Sequence, residues 1–274
     1  MISRESIKSI KPVYASYNFY RYLIFQIKLR IASRRDKKDS KNALYGPVPP
    51  AKLRHRVHGS LDKESFLEIG KALARDIRNI CLTAGYDIYS PGHVLDFGCG
   101  SGRVIRNFRD APSSCHLYGT DIDLELVNWC KENLPNIEWS INGHRPPLHY
   151  TDNTFDLIYA ISVFIHLDEE LQYAWLGELQ RVAKQGAIII LTVHGVNCFN
   201  RLSSADQKRV HSQGFVFVTG ATGKLKLDGL PDFYQNAYHT QEYIQKKWSK
   251  YFEIVRYVER GINNHQDAVV LRKQ

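Results

Sequence analysis

Apolar residues recur with two different periods along this chain, and the switching between them predicts its architecture. From Leu61 to Gly85 they fall at Phe66, Leu67, Ile69, Leu73, Ile77, Ile80 and Cys81, the spacing of one helical face, with Gly85 as the stop. Beyond it, short runs rich in β-branched and aromatic residues alternate with helical segments. The pattern predicts strands over 93–97, 116–120, 137–141, 155–161 and 187–193, and helices over 103–108, 124–133 and 169–183. Such alternation implies right-handed crossovers and a parallel sheet covered on both faces, an α/β fold.

Two segments break the rhythm. Tyr14 to Ile31 contains no Gly or Pro and predicts a helix, with Tyr17, Tyr20, Ile24, Ile27 and Ile31 on one stripe, but Phe19, Tyr22, Leu23 and Phe25 fill its other faces. Val196 to Tyr238 is long for a connection. Gly214, Gly220, Gly223, Gly229 and Pro231 punctuate it around Phe215–Val218 and Leu225–Leu227, which predicts a hairpin insertion. At the carboxyl edge of the sheet it forms either a substrate lid, walled by Phe215, Phe217, Phe233, Tyr234 and Tyr238, or a cover for the sheet edge.

Composition and charge sharpen this picture. The 274 residues are 43% apolar and 24% charged, which suits one large domain with an appendage and excludes a disordered chain. Five cysteines without a C-x-x-C pair argue against a disulfide framework or a zinc ribbon. Arg21, Gln26, Lys28 and Arg30 interrupt the apolar stretch before Ile31, so no spanning helix and no signal peptide is expected, and the cytoplasm is the expected compartment. The net charge of +9 is an N-terminal property: residues 1–58 hold 14 Lys and Arg against 3 Asp and Glu, and residues 59–274 hold 23 against 25. We therefore divide the chain into a basic, aromatic-rich arm with its linker (1–58) and a body (59–274) with a lid insertion at about 196–238. The arm reads as a helix packed on the body or a second copy, or as a peripheral membrane contact through residues 14–41. Nucleic acid is not the expected partner.

The most informative residues are Val94 to Arg103, VLDFGCGSGR, between a predicted strand and a helix. Gly98, Gly100 and Gly102 let the backbone turn and approach a ligand where a Cβ would collide. The dinucleotide fingerprint G-x-G-x-x-G requires a third glycine where this chain has Arg103, and there is no P-loop for a triphosphate. Asp121 ends the second strand, 19 residues beyond Gly102, where a carboxylate accepts hydrogen bonds from both ribose hydroxyls. A nucleoside ligand without a diphosphate is the reading that satisfies both features.

At these residues the chain resembles the class I S-adenosylmethionine-dependent methyltransferases, over roughly residues 60–274. The family's first motif matches Asp96-Phe-Gly-Cys-Gly-Ser-Gly102 and its ribose-binding acid matches Asp121, while His149–Leu167 and Leu179–Gly195 look like its fourth and fifth strand segments. The resemblance implies a Rossmann-like, seven-stranded, mostly parallel sheet with the last strand antiparallel and inserted beside the fifth, preceded here by the helical basic arm. It implies S-adenosyl-L-methionine as cofactor, held by Asp96, Gly98, Gly100, Gly102, Asp121, Ile122, Asn142 and Ala160. A lead-in, Pro49-Pro50-x-x-Leu53-Arg54-x-Arg56-Val57-x-Gly59, is similar to that of bacterial enzymes acting on small molecules or glycans.

Methyl transfer to a hydroxyl needs a base near the carboxyl ends of the fourth and fifth strands. His166 and His194 are the candidates there; each also reads as a packing residue. Histidines without close spacing give no metal signature, so no metal is expected. The expected reaction is O-methylation of a small-molecule or glycan acceptor. The alternatives are an RNA or protein methyltransferase using the basic arm, or a cofactor-binding module without turnover.

Overall fold

The computed structural model describes residues 11–39, 46–219 and 234–274. Its centre is a seven-stranded sheet in the order β3-β2-β1-β4-β5-β9-β8. The strands are β1 (Gly92–Phe97), β2 (Cys115–Asp121), β3 (Glu138–Ile141), β4 (Phe155–Ala160), β5 (Ala183–Val193), β8 (Glu253–Ile262) and β9 (Gln266–Arg272). β1 through β5 pair in parallel, and β9 runs antiparallel between β5 and β8. The strand order reverses between β1 and β4, which opens a crevice at their carboxyl ends.

Strand residues alternate between two apolar layers. Val94, Leu157, Tyr159, Ile188, Ile190, Ala268 and Val270 enter one core. Leu95, Ile158, Ile189, Leu191, Val269 and Leu271 enter the other. Burial on both faces explains why these strands read as continuous apolar runs. One core is capped by α3 (Lys63–Thr83), whose Asp62 N-cap accepts from Ser65 N at 2.6 Å, and by α4 (Leu124–Asn133). The other is capped by α5 (Glu169–Val182) and α7 (Gln241–Trp248).

The N-terminal segment forms α1 (Lys11–Asp39) and a short α2 (Ala51–His58), which ends at Gly59 in the left-handed conformation. Arg54 of α2 is 1% exposed. It donates to Asp36 of α1 and to the carbonyls of Pro49 and Leu61, so one guanidinium ties together the arm, the proline-rich stretch and the entry to the body.

The predicted helix over 103–108 is instead a run of turns and a 3-10 helix, Ile105–Phe108. Asn107 Nδ2 donates to the Arg103 and Val104 carbonyls, competing with a regular ladder. After β5 comes a 3-10 helix, Val196–Arg201, then α6 (Ser204–Gln213) and a separate antiparallel pair, β6 (Phe215–Val218) with β7 (Asn236–His239). Of the expected hairpin, Gly220, Gly223, Leu225–Leu227, Gly229, Pro231 and Phe233 lie outside the described residues.

Candidate active site

A cleft of about 1090 Å³ lies at the strand-order reversal. The chain leaves β1 through Gly98 and Gly100, at φ 78° and 55°, a region that β-carbon sterics close to most residues. A Cβ on Gly98 would strike Val163 Cγ2, and one on Gly100 would meet Val57 Cγ2 at 2.8 Å. The amides of Gly98 and Cys99 both donate to the Thr120 carbonyl, at 2.8 and 3.0 Å, which pins the loop to β2.

Asp96, Gly98, Gly100, Asp121, Ile122 and Asn142 all line this cleft. Asp121 Oδ2 accepts from Gly100 N at 2.7 Å and Oδ1 from Asp123 N at 2.9 Å, which fixes the carboxylate at the cleft with acceptor capacity left for a ligand. Asn142 is held by Thr120, whose hydroxyl donates to its Oδ1 at 3.0 Å. Gly102 and Ala160 stand elsewhere. A Cβ on Gly102 would meet Leu134 and Trp139, so that glycine serves core packing, and Ala160 is fully buried in the layer under α5.

Asp96 is 3% exposed, and its Oδ2 has no hydrogen-bond partner among the described residues. Burial pushes its carboxyl up to about 7, with the nearby Asp121 carboxylate adding to the effect. Arg103, half-buried, opposes this from the position where a dinucleotide fold has glycine. A cationic ligand group beside Asp96 would answer the buried carboxylate, and a diol beside Asp121 would use the remaining lone pairs. S-adenosylmethionine, with its sulfonium, its ammonium and its ribose, fits this donor set and the glycine cradle.

His166 lines the same cleft. Its Nδ1 lies 2.6 Å from the Gln235 carbonyl, which only accepts; Nδ1 therefore carries the proton and Nε2 the free lone pair. Tyr234 lies against the ring, tilted 33° with centroids 4.2 Å apart. Burial lowers His166 to about 4, so the imidazole is neutral near pH 7. His194 is not part of the cleft lining; it packs against Tyr238 and His265 at the end of β5. Of the expected lid aromatics, Tyr234 lines the cleft, whereas Phe215 packs on Tyr243 and Tyr238 joins a satellite core.

Sequence reasoning missed the contribution from the arm. Arg21, Ile24, Phe25 and Lys28 of α1 and Arg56 and Val57 of α2 also line the cleft. Arg56 bridges to Asp123 at 2.9 Å and Glu125 at 2.7 Å, fastening α2 to the N-terminus of α4. The lead-in Leu53-Arg54-x-Arg56-Val57 was the available signal, but its partners are distant in sequence.

Residues 94–186 match a family model described as a methyltransferase domain. Among curated proteins, the chain is similar to "Sterol 24-C-methyltransferase erg6" of Schizosaccharomyces pombe, 33% identical over 104 residues, covering 36% of this chain and 27% of that protein. It is similar also to "Uncharacterized methyltransferase C1B3.06c" of the same yeast, 31% identical over 106 residues, covering 35% and 37%. The matches thus span about a third of those relatives' length. Among solved structures, the PH0226 protein of Pyrococcus horikoshii superposes with a TM-score of 0.52 at 16% identity, covering 73% of this chain and 90% of that one. A S-adenosylmethionine-dependent methyltransferase of Clostridium acetobutylicum gives 0.51 at 13% identity, covering 74% and 91%. The domain match spans the glycine loop and lies on a fold shared with these structures, which supports a class I S-adenosylmethionine-dependent methyltransferase with S-adenosylmethionine as its cofactor.

Proposed function

We propose that this chain transfers a methyl group to a hydroxyl of a small-molecule or glycan acceptor, with His166 taking the hydroxyl proton. When bound, S-adenosylmethionine supplies a methyl carbon already activated by a sulfonium. The residues then have to align the acceptor, exclude water and accept a proton. His166 carries this reading: it shares the cleft with the glycine loop, and the Gln235 carbonyl leaves its Nε2 as the basic atom. Tyr234, against the ring, and Val163 and Leu167 of the cleft lining supply apolar walls that would exclude water.

The site residues in this proposal are Asp96 and Asp121 for the cofactor's cation and ribose, Gly98 and Gly100 for its close approach, and Ile122 and Asn142 for the adenine side. Of the two candidate bases, His166 lines the cleft and is the one in this proposal. An acceptor presented at a membrane surface is favoured by α1. Phe19, Tyr20, Leu23, Ile27 and Ile31 are exposed on it, Arg30, Arg34, Arg35 and Lys37 extend it, and Ile24 and Phe25 of the same helix face the cleft.

The test is transfer of labelled methyl from S-adenosylmethionine into an extract of producing cells, fractionated into RNA, protein, lipid and soluble glycan. Label in the glycan or lipid pool, abolished by Asp96→Asn, supports the proposal. Label in RNA or protein contradicts it.

A further inference from the structure

Outside the cleft, the carboxyl end of β5 gathers a second set of reactive side chains. His194 follows the strand, Cys198 lies in the 3-10 helix Val196–Arg201, and His265 sits in the turn between β8 and β9. A ring nitrogen of each histidine and Cys198 Sγ all lie within 4.8 Å of one another. None of the three lines the cleft. His194 is 5% exposed and Cys198 1%, while His265 is half-buried.

A second observation singles out His194. Its Nδ1 is buried with no hydrogen-bond partner among the described residues, a state that native interiors seldom leave unanswered. The ring's other nitrogen is engaged by the Ala237 carbonyl. A carbonyl on one ring nitrogen fixes the tautomer and aims the other lone pair, the outer partner typical of metal-ligating imidazoles.

We propose that His194, Cys198 and His265 bind a zinc ion through one thiolate and two imidazoles, with a fourth position left to water. The donor set decides the metal: sulfur with nitrogen suits zinc, whereas magnesium and calcium require oxygen ligands. Tetrahedral zinc holds such donors about 3.3–3.6 Å apart, so the cluster closes by roughly 1 Å on binding. The movable member is His265, in a turn whose Asn263 and Asn264 adopt positive φ. Binding releases the Cys198 thiol proton to solvent as the sulfur–zinc bond forms. Burial disfavours the protonated form of both imidazoles, and the neutral ring is the form that ligates. Among the charges facing the cluster, Asp267 favours a cation, and Arg201 and Arg260 oppose one.

The ion would clamp the start of the 196–239 segment to the β8–β9 turn. That segment brings Tyr234 to the cleft, so zinc would act as a structural staple beneath the acceptor side. Spacing alone gave no sign of it, because His265 is joined to the pair only by the insertion of β9 beside β5.

The test is cobalt titration of the full chain, followed by zinc competition. Stoichiometric cobalt with intense four-coordinate d–d absorption and a thiolate charge-transfer band, displaced by zinc, is the expected result. Cys198→Ser should lose that band, and His265→Gln should weaken binding by about tenfold or more. His265 is half-buried, so His265→Gln should keep the circular dichroism and melting of the metal-free protein and read the site rather than folding. A weak six-coordinate spectrum, or one unchanged in Cys198→Ser, overturns the proposal. The readout does not depend on methyl transfer.

Discussion

Asp36 of the N-terminal helix grips the buried guanidinium of Arg54 with both carboxylate oxygens, at 2.9 and 3.0 Å. The basic arm is thereby fastened to the catalytic domain, and its residues Arg21, Ile24, Phe25 and Lys28 close one side of the cleft. Breaking a buried pair strands the remaining charge, at about 3–5 kcal/mol. With Asp36 24% exposed, Asp36→Ala should cost about 3 kcal/mol in urea unfolding. Removing residues 1–42 should also weaken cofactor binding. From the sequence alone an arm of this kind is expected to be dispensable, and unchanged affinity in the truncated chain would restore that view.

Asp96 makes cofactor affinity depend on pH. Its carboxyl is pushed up to about 7, and a cationic ligand favours the ionised form. Binding therefore releases a proton from Asp96 below pH 7, and affinity should rise as pH rises through that value. Calorimetry in buffers of different ionisation enthalpy measures the proton; Asp96→Asn should abolish its release.

His166 sets two pH effects. Its folded value near 4 lies below the unfolded 6.5, so its contribution to stability is present above pH 6.5 and is lost as pH falls toward 4. Denaturant midpoints should fall over that window, less so in His166→Gln. The acid limb of kcat/KM should lie near pH 4 rather than 6.5. A limb at 6.5 would point to a different base.

Gly70 of α3 touches no ligand, yet a Cβ there would sit 2.6 Å from the Arg103 carbonyl, just past the glycine loop. Gly70→Ala should cost about 1–3 kcal/mol through displaced backbone. It should also weaken cofactor binding, measurable by calorimetry at a temperature where the variant is folded.

Much of the fold was legible because both faces of the sheet are covered, which turned β1, β4 and β5 into apolar runs. α4 and α5 open on Asp123 and Asp168, side chains that cap their first turns. α6 was not legible: SADQKRVHSQ buries only Val210, so it has no apolar period, and Ser203 capping Asp206 N was the sole cue. Among the cleft-lining residues, Gly98, Gly100 and both aspartates were readable from local spacing, whereas Gly102, read with them, packs the core. The difference between His166 and His194 was not readable, since it turns on which of the two lines the cleft and on a carbonyl, Gln235, far along the chain.

Vesicle co-sedimentation bears on α1. The chain should bind anionic vesicles, salt should weaken binding, and Phe19→Glu with Tyr20→Glu should remove it, because both rings are more than 60% exposed. Equal binding to neutral vesicles would contradict a role for the cations.

We propose that the cleft holds S-adenosylmethionine with its ribose on Asp121. Titration of the full chain with S-adenosylmethionine, against Asp121→Ala, tests it most directly. Loss of hydrogen bonds to a charged acceptor predicts about ten- to hundredfold weaker binding in the variant, with the same stoichiometry. Undiminished affinity would place the cofactor elsewhere and contradict the account.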